Sequence, residues 1–145
     1  MKSEIGKMGS AVVLGVVLVI ISLFPVSADS HMGTDPDSAI APTSGWIAIE
    51  PGVSHWYTFR DEGDNGQIVV EMDVAGDATF AVWTPGNVDE WRRGEKVTPV
   101  GIGTANANVS ENLFWMGNFN ESGNYYIVVS QGKQGNSNYQ LRIRG

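Results

Sequence analysis

The sequence contains no cysteine among its 145 residues, and histidine occurs only as His31 and His55. Disulfides, thiolate metal sites and cysteine nucleophiles are therefore excluded. A serine nucleophile needs a base, usually a histidine oriented by a third group. His31 lies in a polar segment, His55 lies inside an aromatic run, and no Gly-x-Ser-x-Gly sequence occurs. We therefore expect a protein that is not an enzyme.

Basic residues are also scarce, with 9 Lys and Arg against 16 Asp and Glu and a net charge of −7. This balance disfavours nucleic acid or an anionic membrane surface as a partner, because both attract the opposite charge. Asp89, Glu90 and Glu95 are the acidic residues that resemble a glycosidase carboxylate pair. They stand beside Arg92 and Arg93, so an ion-paired surface turn is the favoured interpretation.

The chain has one long apolar run, residues 11–24, which carries no charge. Lys2 and Lys7 precede it, and Pro25 with Val26-Ser27-Ala28 follows it. This layout is typical of a secretory signal peptide over residues 1–28, and predicts a secreted or cell-surface protein. The alternative is an uncleaved membrane anchor, which would be the protein's one attachment to a membrane. Residues 11–24 are short for that role, because a bilayer core requires roughly 20 apolar residues.

Cleavage after Ala28 leaves 117 of the 145 residues, enough for one domain with its own core. Removal of Lys2, Lys7 and Glu4 leaves seven basic and fifteen acidic residues, a net charge of −8. Residues 29–44 are polar and contain two prolines, so we expect a flexible lead-in. Residues 45–145 are predicted to form the folded domain.

Apolar and polar residues alternate along residues 67–74 and 138–144, with the period of two that is typical of half-buried strands. The alternation predicts that Ile68, Val70, Met72, Leu141 and Ile143 are buried and that Glu71, Arg142 and Arg144 are exposed. Similar short runs recur between Gly, Pro, Asn and Asp turns. The predicted fold is an all-β antiparallel sandwich of about eight strands. One helical turn is predicted at residues 88–95, capped by Asn87.

Several of these strands resemble the bacterial pre-peptidase C-terminal domain family. The matching residues are 56–59 (Trp-Tyr-Thr-Phe), 68–72 (Ile-Val-Val-Glu-Met), 80–85 (Phe-Ala-Val-Trp-Thr-Pro), 122–129 (Ser-Gly-Asn-Tyr-Tyr-Ile-Val-Val) and 138–141 (Asn-Tyr-Gln-Leu). The resemblance covers residues 45–145 and implies a small β-sandwich of jelly-roll type. The resemblance also leaves weak calcium binding open, because some relatives bind calcium.

The acidic turn at residues 61–66 resembles a calcium-binding loop, because it places carboxylate oxygens on a glycine-containing turn. Asp61 and Asp64 are its candidate ligands. In an EF-hand register the third position is Gly63 and the twelfth is Met72, where oxygen ligands are required. We therefore expect no tightly bound metal.

Five tryptophans remain to be explained. Trp83, Trp91 and Trp115 are the candidates for an exposed aromatic cluster that stacks on sugar rings, and the alternative is packing in the core or on a sheet face. The sequence thus predicts a non-catalytic module that binds an extracellular polysaccharide or protein. A second hypothesis is a structural subunit of a cell-surface assembly, in which residues 29–44 add as a strand to a neighbour's sheet.

Overall fold

The computed structural model describes residues 32–145, so the predicted signal peptide and His31 lie outside the described residues. This part of the chain forms nine strands and one short helix. The elements are β1 (Ile47–Ile49), β2 (Ser54–Asp61), β3 (Ile68–Ala75), β4 (Thr79–Trp83), α1 (Pro85–Arg92), β5 (Gly101–Ile102), β6 (Thr104–Ala105), β7 (Asn112–Gly117), β8 (Gly123–Ser130) and β9 (Ser137–Arg144). No helix within residues 32–145 is long and apolar enough to cross a membrane.

The strands form two antiparallel sheets that face each other. One sheet has the order β1-β9-β3-β7-β6 and the other has the order β2-β8-β4-β5. The predicted all-β sandwich is confirmed. The count exceeds eight because the chain changes sheets at Gly103, which separates β5 in one sheet from β6 in the other. A Cβ atom at Gly103 would lie 2.5 Å from the Phe80 ring, so only glycine fits at this crossing.

The core lies between the two sheets and follows the predicted alternation. Its fully buried side chains include Tyr57, Val70, Met72, Ile127 and Tyr139. The predicted burial is correct for Ile68, Val70, Met72 and Leu141, and the predicted exposure is correct for Arg144. Ile143, Glu71 and Arg142 are half-buried instead. Glu71 and Arg142 are partly covered because they form ion pairs on the outer face of the sheet.

The helix begins before its predicted start at Val88. Thr84 caps it: its Oγ1 accepts a hydrogen bond from the Asn87 backbone N–H at 3.2 Å, and Asn87 Oδ1 accepts one from the Thr84 N–H at 3.0 Å. Asn87 is thus the third helical residue of a capping box rather than the cap itself. Pro85 supplies a backbone angle that suits the first turn.

The described part of the predicted flexible lead-in is bonded to the edge of β2. Trp56 donates its N–H to the Gly33 carbonyl at 2.8 Å, and Thr58 donates to the Ile40 carbonyl at 2.9 Å. Met32 and Ile40 pack against the core. The difference from the prediction has a physical reason: β2 is an edge strand, and its free backbone groups require partners that the lead-in supplies.

Candidate functional site

A groove of about 780 Å³ opens between the sheets on the side where β2 and β9 lie. Its walls are the end of β2 from Thr58, the last residues of β9 from Leu141, and the crossing segment 41–44. That segment runs from Ile40, bonded to β2, to β1, which pairs with β9. The groove therefore lies beside the point where the chain passes from one sheet edge to the other.

The groove exists because β1 covers only half of β9. Ile47 pairs with Tyr139 and Ile49 with Ser137, so pairing ends where β9 enters the groove. Gly45, with φ of 109°, turns the chain away from β9 at this point. On the side away from β3, no strand among residues 32–145 pairs with residues 140–144. This stretch of sheet edge is thus without a strand partner in the described part of the chain.

The floor of the groove is apolar. Ile68 and Leu141 are buried at its base, whereas Phe59 and Ile143 are half-buried and reach its surface. Phe59 stacks on Tyr125 with ring centroids 6.0 Å apart. The predicted burial of Ile143 is incomplete because this side chain faces the groove instead of a covering strand.

The rim carries charges of both signs. On the β9 side, Arg144 lies 2.6 Å from Glu71, and Arg142 lies 2.7 Å from Asp73. The amide of Asn112 and the guanidinium of Arg142 together lower the pKa of Asp73. On the β2 side, Arg60 pairs with Glu62 at 2.8 Å.

The two candidate metal ligands bind their own turns. Asp61 Oδ1 accepts a hydrogen bond from the Gly63 N–H, and Asp64 Oδ1 accepts one from the Gly66 N–H, both at 2.8 Å. These bonds are the ordinary Asx-turn contacts of a strand connection. Within residues 32–145, no group of three His, Cys, Asp or Glu side chains is placed to hold a metal ion.

A chain of buried polar groups crosses the core near the groove. His55 Nδ1 lies 2.8 Å from the Tyr139 hydroxyl, Tyr139 is hydrogen bonded to the Tyr57 hydroxyl, and Tyr57 donates to Met32 Sδ at 3.4 Å. One direction satisfies every bond: His55 donates to Tyr139, which donates to Tyr57. Burial lowers the pKa of His55 and raises that of Tyr139. The chain ties both sheets to the lead-in.

The three candidate tryptophans do not form a single cluster. Trp83 lies on the outer face of the four-stranded sheet and Trp91 on α1, and both meet Trp56, at centroid distances of 4.9 and 5.5 Å. Trp115 belongs to the other sheet, where it pairs with buried Val70, packs against the core and stacks on Phe119. Trp91 is 42% exposed, and Trp83 packs with Val88 and Val128 in a small second core under α1.

Comparison with solved structures supports the fold. The pre-peptidase C-terminal domain of a collagenase from Bacillus anthracis is similar over 73% of this chain and 96% of that domain, with a TM-score of 0.51 and 16% identity. The chain has the fold of a pre-peptidase C-terminal domain. A periplasmic inhibitor of g-type lysozyme from Aeromonas hydrophila is similar over 70% of this chain and 85% of its own, with a TM-score of 0.45 and 20% identity. No family model and no curated protein matches the sequence.

No pattern in the sequence predicts the groove on this pre-peptidase C-terminal fold. Two of its floor residues, Phe59 and Ile143, look in the sequence like ordinary members of a strand alternation. The groove depends on where β1 stops pairing with β9, and most of the chain separates these two strands in the sequence. Gly45 directly before Trp46 was the one local signal that a strand starts there from a sharp turn.

Proposed function

We propose that the protein is a secreted, non-catalytic module that binds an extended segment of another extracellular protein in the groove. The observation that carries this proposal is the edge of β9 at residues 140–144, which has no partner strand among residues 32–145 and lies above an apolar floor. A segment of about five residues spans this edge, at about 3.4 Å per residue. It would continue the line of β1 and complete the sheet.

The groove supplies both parts of strand recognition. Backbone groups of β9 give hydrogen bonds that any extended peptide can use, and pockets for alternate side chains give selectivity. Phe59 and Ile143 provide the apolar contact for every second ligand residue. The remaining side chains would point to solvent beside Arg142 and Arg144. An extended segment with alternating apolar residues therefore fits the groove.

A polysaccharide is the second candidate ligand, and one observation favours it. Trp91 is 42% exposed and lies against Trp56, so part of its ring is free to stack on a sugar. Trp83 and Trp115 contribute mainly to packing. Binding of a glycan that is lost in Trp91→Ala, together with no response of β9 to peptides, would favour this candidate.

A structural subunit remains the third candidate. For residues 29–44 to join a neighbouring molecule, their described part would have to leave β2, where Gly33 and Ile40 are bonded. Assembly that depends on protein concentration and disappears when residues 29–44 are removed would favour this role.

Mass spectrometry of the exported protein tests the secretion step, with a first residue of Asp29 expected.

The peptide proposal is tested by NMR titration. The probe is the capped peptide Ser-Val-Thr-Val-Thr-Val-Ser, and its control, Ser-Val-Val-Thr-Thr-Val-Ser, has the same composition without the alternation. We expect the first peptide to shift the amide signals of residues 140–144 and the second to have little effect. Absence of a shift with both peptides would overturn the proposal.

Two variants show whether the shifts arise in the groove. Ser44 is exposed and lines it, so Ser44→Trp should fill the groove without disturbing the core and should abolish the shifts. Ser110→Trp adds the same ring at an exposed position in the connection before β7 and should leave them unchanged.

A further inference from the structure

We infer that the segment bound in the groove is acidic on its outward face, with carboxylates opposite Arg142 and Arg144. The inference rests on the proposed strand addition and names its ligand more closely. Residues directly opposite each other in a sheet place their side chains on the same face. Ligand residues opposite Leu141 and Ile143 would therefore face the groove, and those opposite Arg142 and Arg144 would lie beside the guanidinium groups.

Both arginines retain donors for a ligand. Arg144 has a 65% exposed side chain, and its contact with Glu71 uses one terminal nitrogen. Arg142 has a 41% exposed side chain, contacts Glu71 and Asp73 on β3, and donates from Nη1 to Gln140 Oε1 at 3.5 Å. A guanidinium carries five N–H donors in a fixed fork, so each arginine can bind a further carboxylate from the open side of β9. The nearest charges to an added strand are thus positive.

The acidic residues across the groove are engaged elsewhere. Glu62 pairs with Arg60, and Asp61 and Asp64 accept hydrogen bonds from their own turns. They belong to the β2 wall, whereas an added strand would lie in the plane of β9. Cross-strand neighbours at about 5 Å interact more strongly than charges across an open, solvated groove. Arg142 and Arg144 are therefore the charged side chains that would directly neighbour an added strand.

The same arginines disfavour a second copy of this chain as the occupant. Antiparallel pairing of two β9 edges would bring Arg142 and Arg144 of one copy onto the same face as those of the other. Like charges directly opposite each other destabilise a strand pair, and charged residues are a common protection of sheet edges. The structure thus favours an acidic segment of a different protein.

A charge-swap experiment tests this inference. The probes are two capped peptides, Ser-Val-Glu-Val-Glu-Val-Ser and Ser-Val-Lys-Val-Lys-Val-Ser, with affinities measured by NMR titration at low salt. We expect the acidic peptide to bind about fivefold more tightly than the basic one. In Arg144→Glu the order should reverse. Arg93→Glu, which makes the same charge change at the end of α1, should preserve it.

The outcomes separate the inference from the proposed function. If both peptides bind the β9 edge equally in the unmodified protein and in Arg144→Glu, the acidic preference is wrong and strand addition stands. If neither charged peptide nor the Val-Thr peptide binds, both proposals fall. Dimers that form through β9 in sedimentation experiments would also overturn the inference. Melting curves of the two variants confirm that each remains folded.

Discussion

His55 Nδ1 lies 2.8 Å from the hydroxyl of Tyr139, and this bond joins one sheet to the other across the core. His55 belongs to β2 and Tyr139 to β9, the two strands that border the groove. Tyr139 is also hydrogen bonded to Tyr57, and Tyr57 donates to Met32 in the lead-in. A single buried hydroxyl therefore couples the sheets and the segment that covers β2.

The loss of that hydroxyl should destabilise the fold. Tyr139→Phe removes a partner from buried His55 and from buried Tyr57, and we expect the free energy of unfolding to fall by about 2–3 kcal/mol. Tyr126→Phe is the matched control, because Tyr126 is half-buried on the outer face of β8 and its hydroxyl has no hydrogen bond among the described residues. Urea denaturation measures both variants, and equal losses would contradict the role of the network.

The stability of the protein should fall on mild acidification. Burial lowers the pKa of His55, so the unfolded chain takes up this proton first as the pH drops below about 6.5. The free energy of unfolding should therefore decrease as the pH falls from about 6.5 to the lowered pKa of the folded state. Above pH 6.5, His55 should cause no change of stability with pH. His55→Gln removes this slope while His31 remains in both proteins. An identical pH dependence of the two proteins would exclude the effect.

Trp83 should matter for folding and Trp46 should not. Trp83→Ala removes a ring that packs against Trp56 and Val88, with an expected loss of about 2–4 kcal/mol. Trp46 is 57% exposed, so Trp46→Ala should change the stability by less than about 0.5 kcal/mol. Thermal unfolding followed by circular dichroism measures both variants. A neutral Trp83→Ala would show that the cluster under α1 is not a structural core.

The turn between β3 and β4 requires glycine at position 76. Gly76 has φ of 121°, and a Cβ atom there would lie 2.2 Å from Ser137 Oγ, which accepts a hydrogen bond from the Asp77 N–H. Gly76→Ala should therefore cost about 2–3 kcal/mol. Gly94 has φ of 72° and open space around its Cβ position, so Gly94→Ala should cost only about 1 kcal/mol. Similar losses in chemical denaturation would refute the steric argument.

Local patterns in the sequence predict the sandwich well and the site poorly. The alternation along β3 and β9 identifies the buried face, because a period of two has few other interpretations. The helix begins earlier than predicted because Thr84, and not Asn87, is the cap, and both residue types are common at that position. Trp115 and Trp83 are apart because their strands belong to different sheets. The groove opens beside Ile143 because β1 pairs with only the first part of β9. A local sequence pattern does not predict which distant segments pair.

Amide hydrogen exchange along β9 tests the central claim most directly. The protein is compared alone and with the alternating Val-Thr peptide, and protection is measured for each residue of β9. We predict that residues 137–139, already paired with β1, keep their protection, and that alternate amides within residues 140–144 become protected when the peptide is present. Unchanged exchange throughout residues 140–144 at saturating peptide would contradict strand addition to this edge.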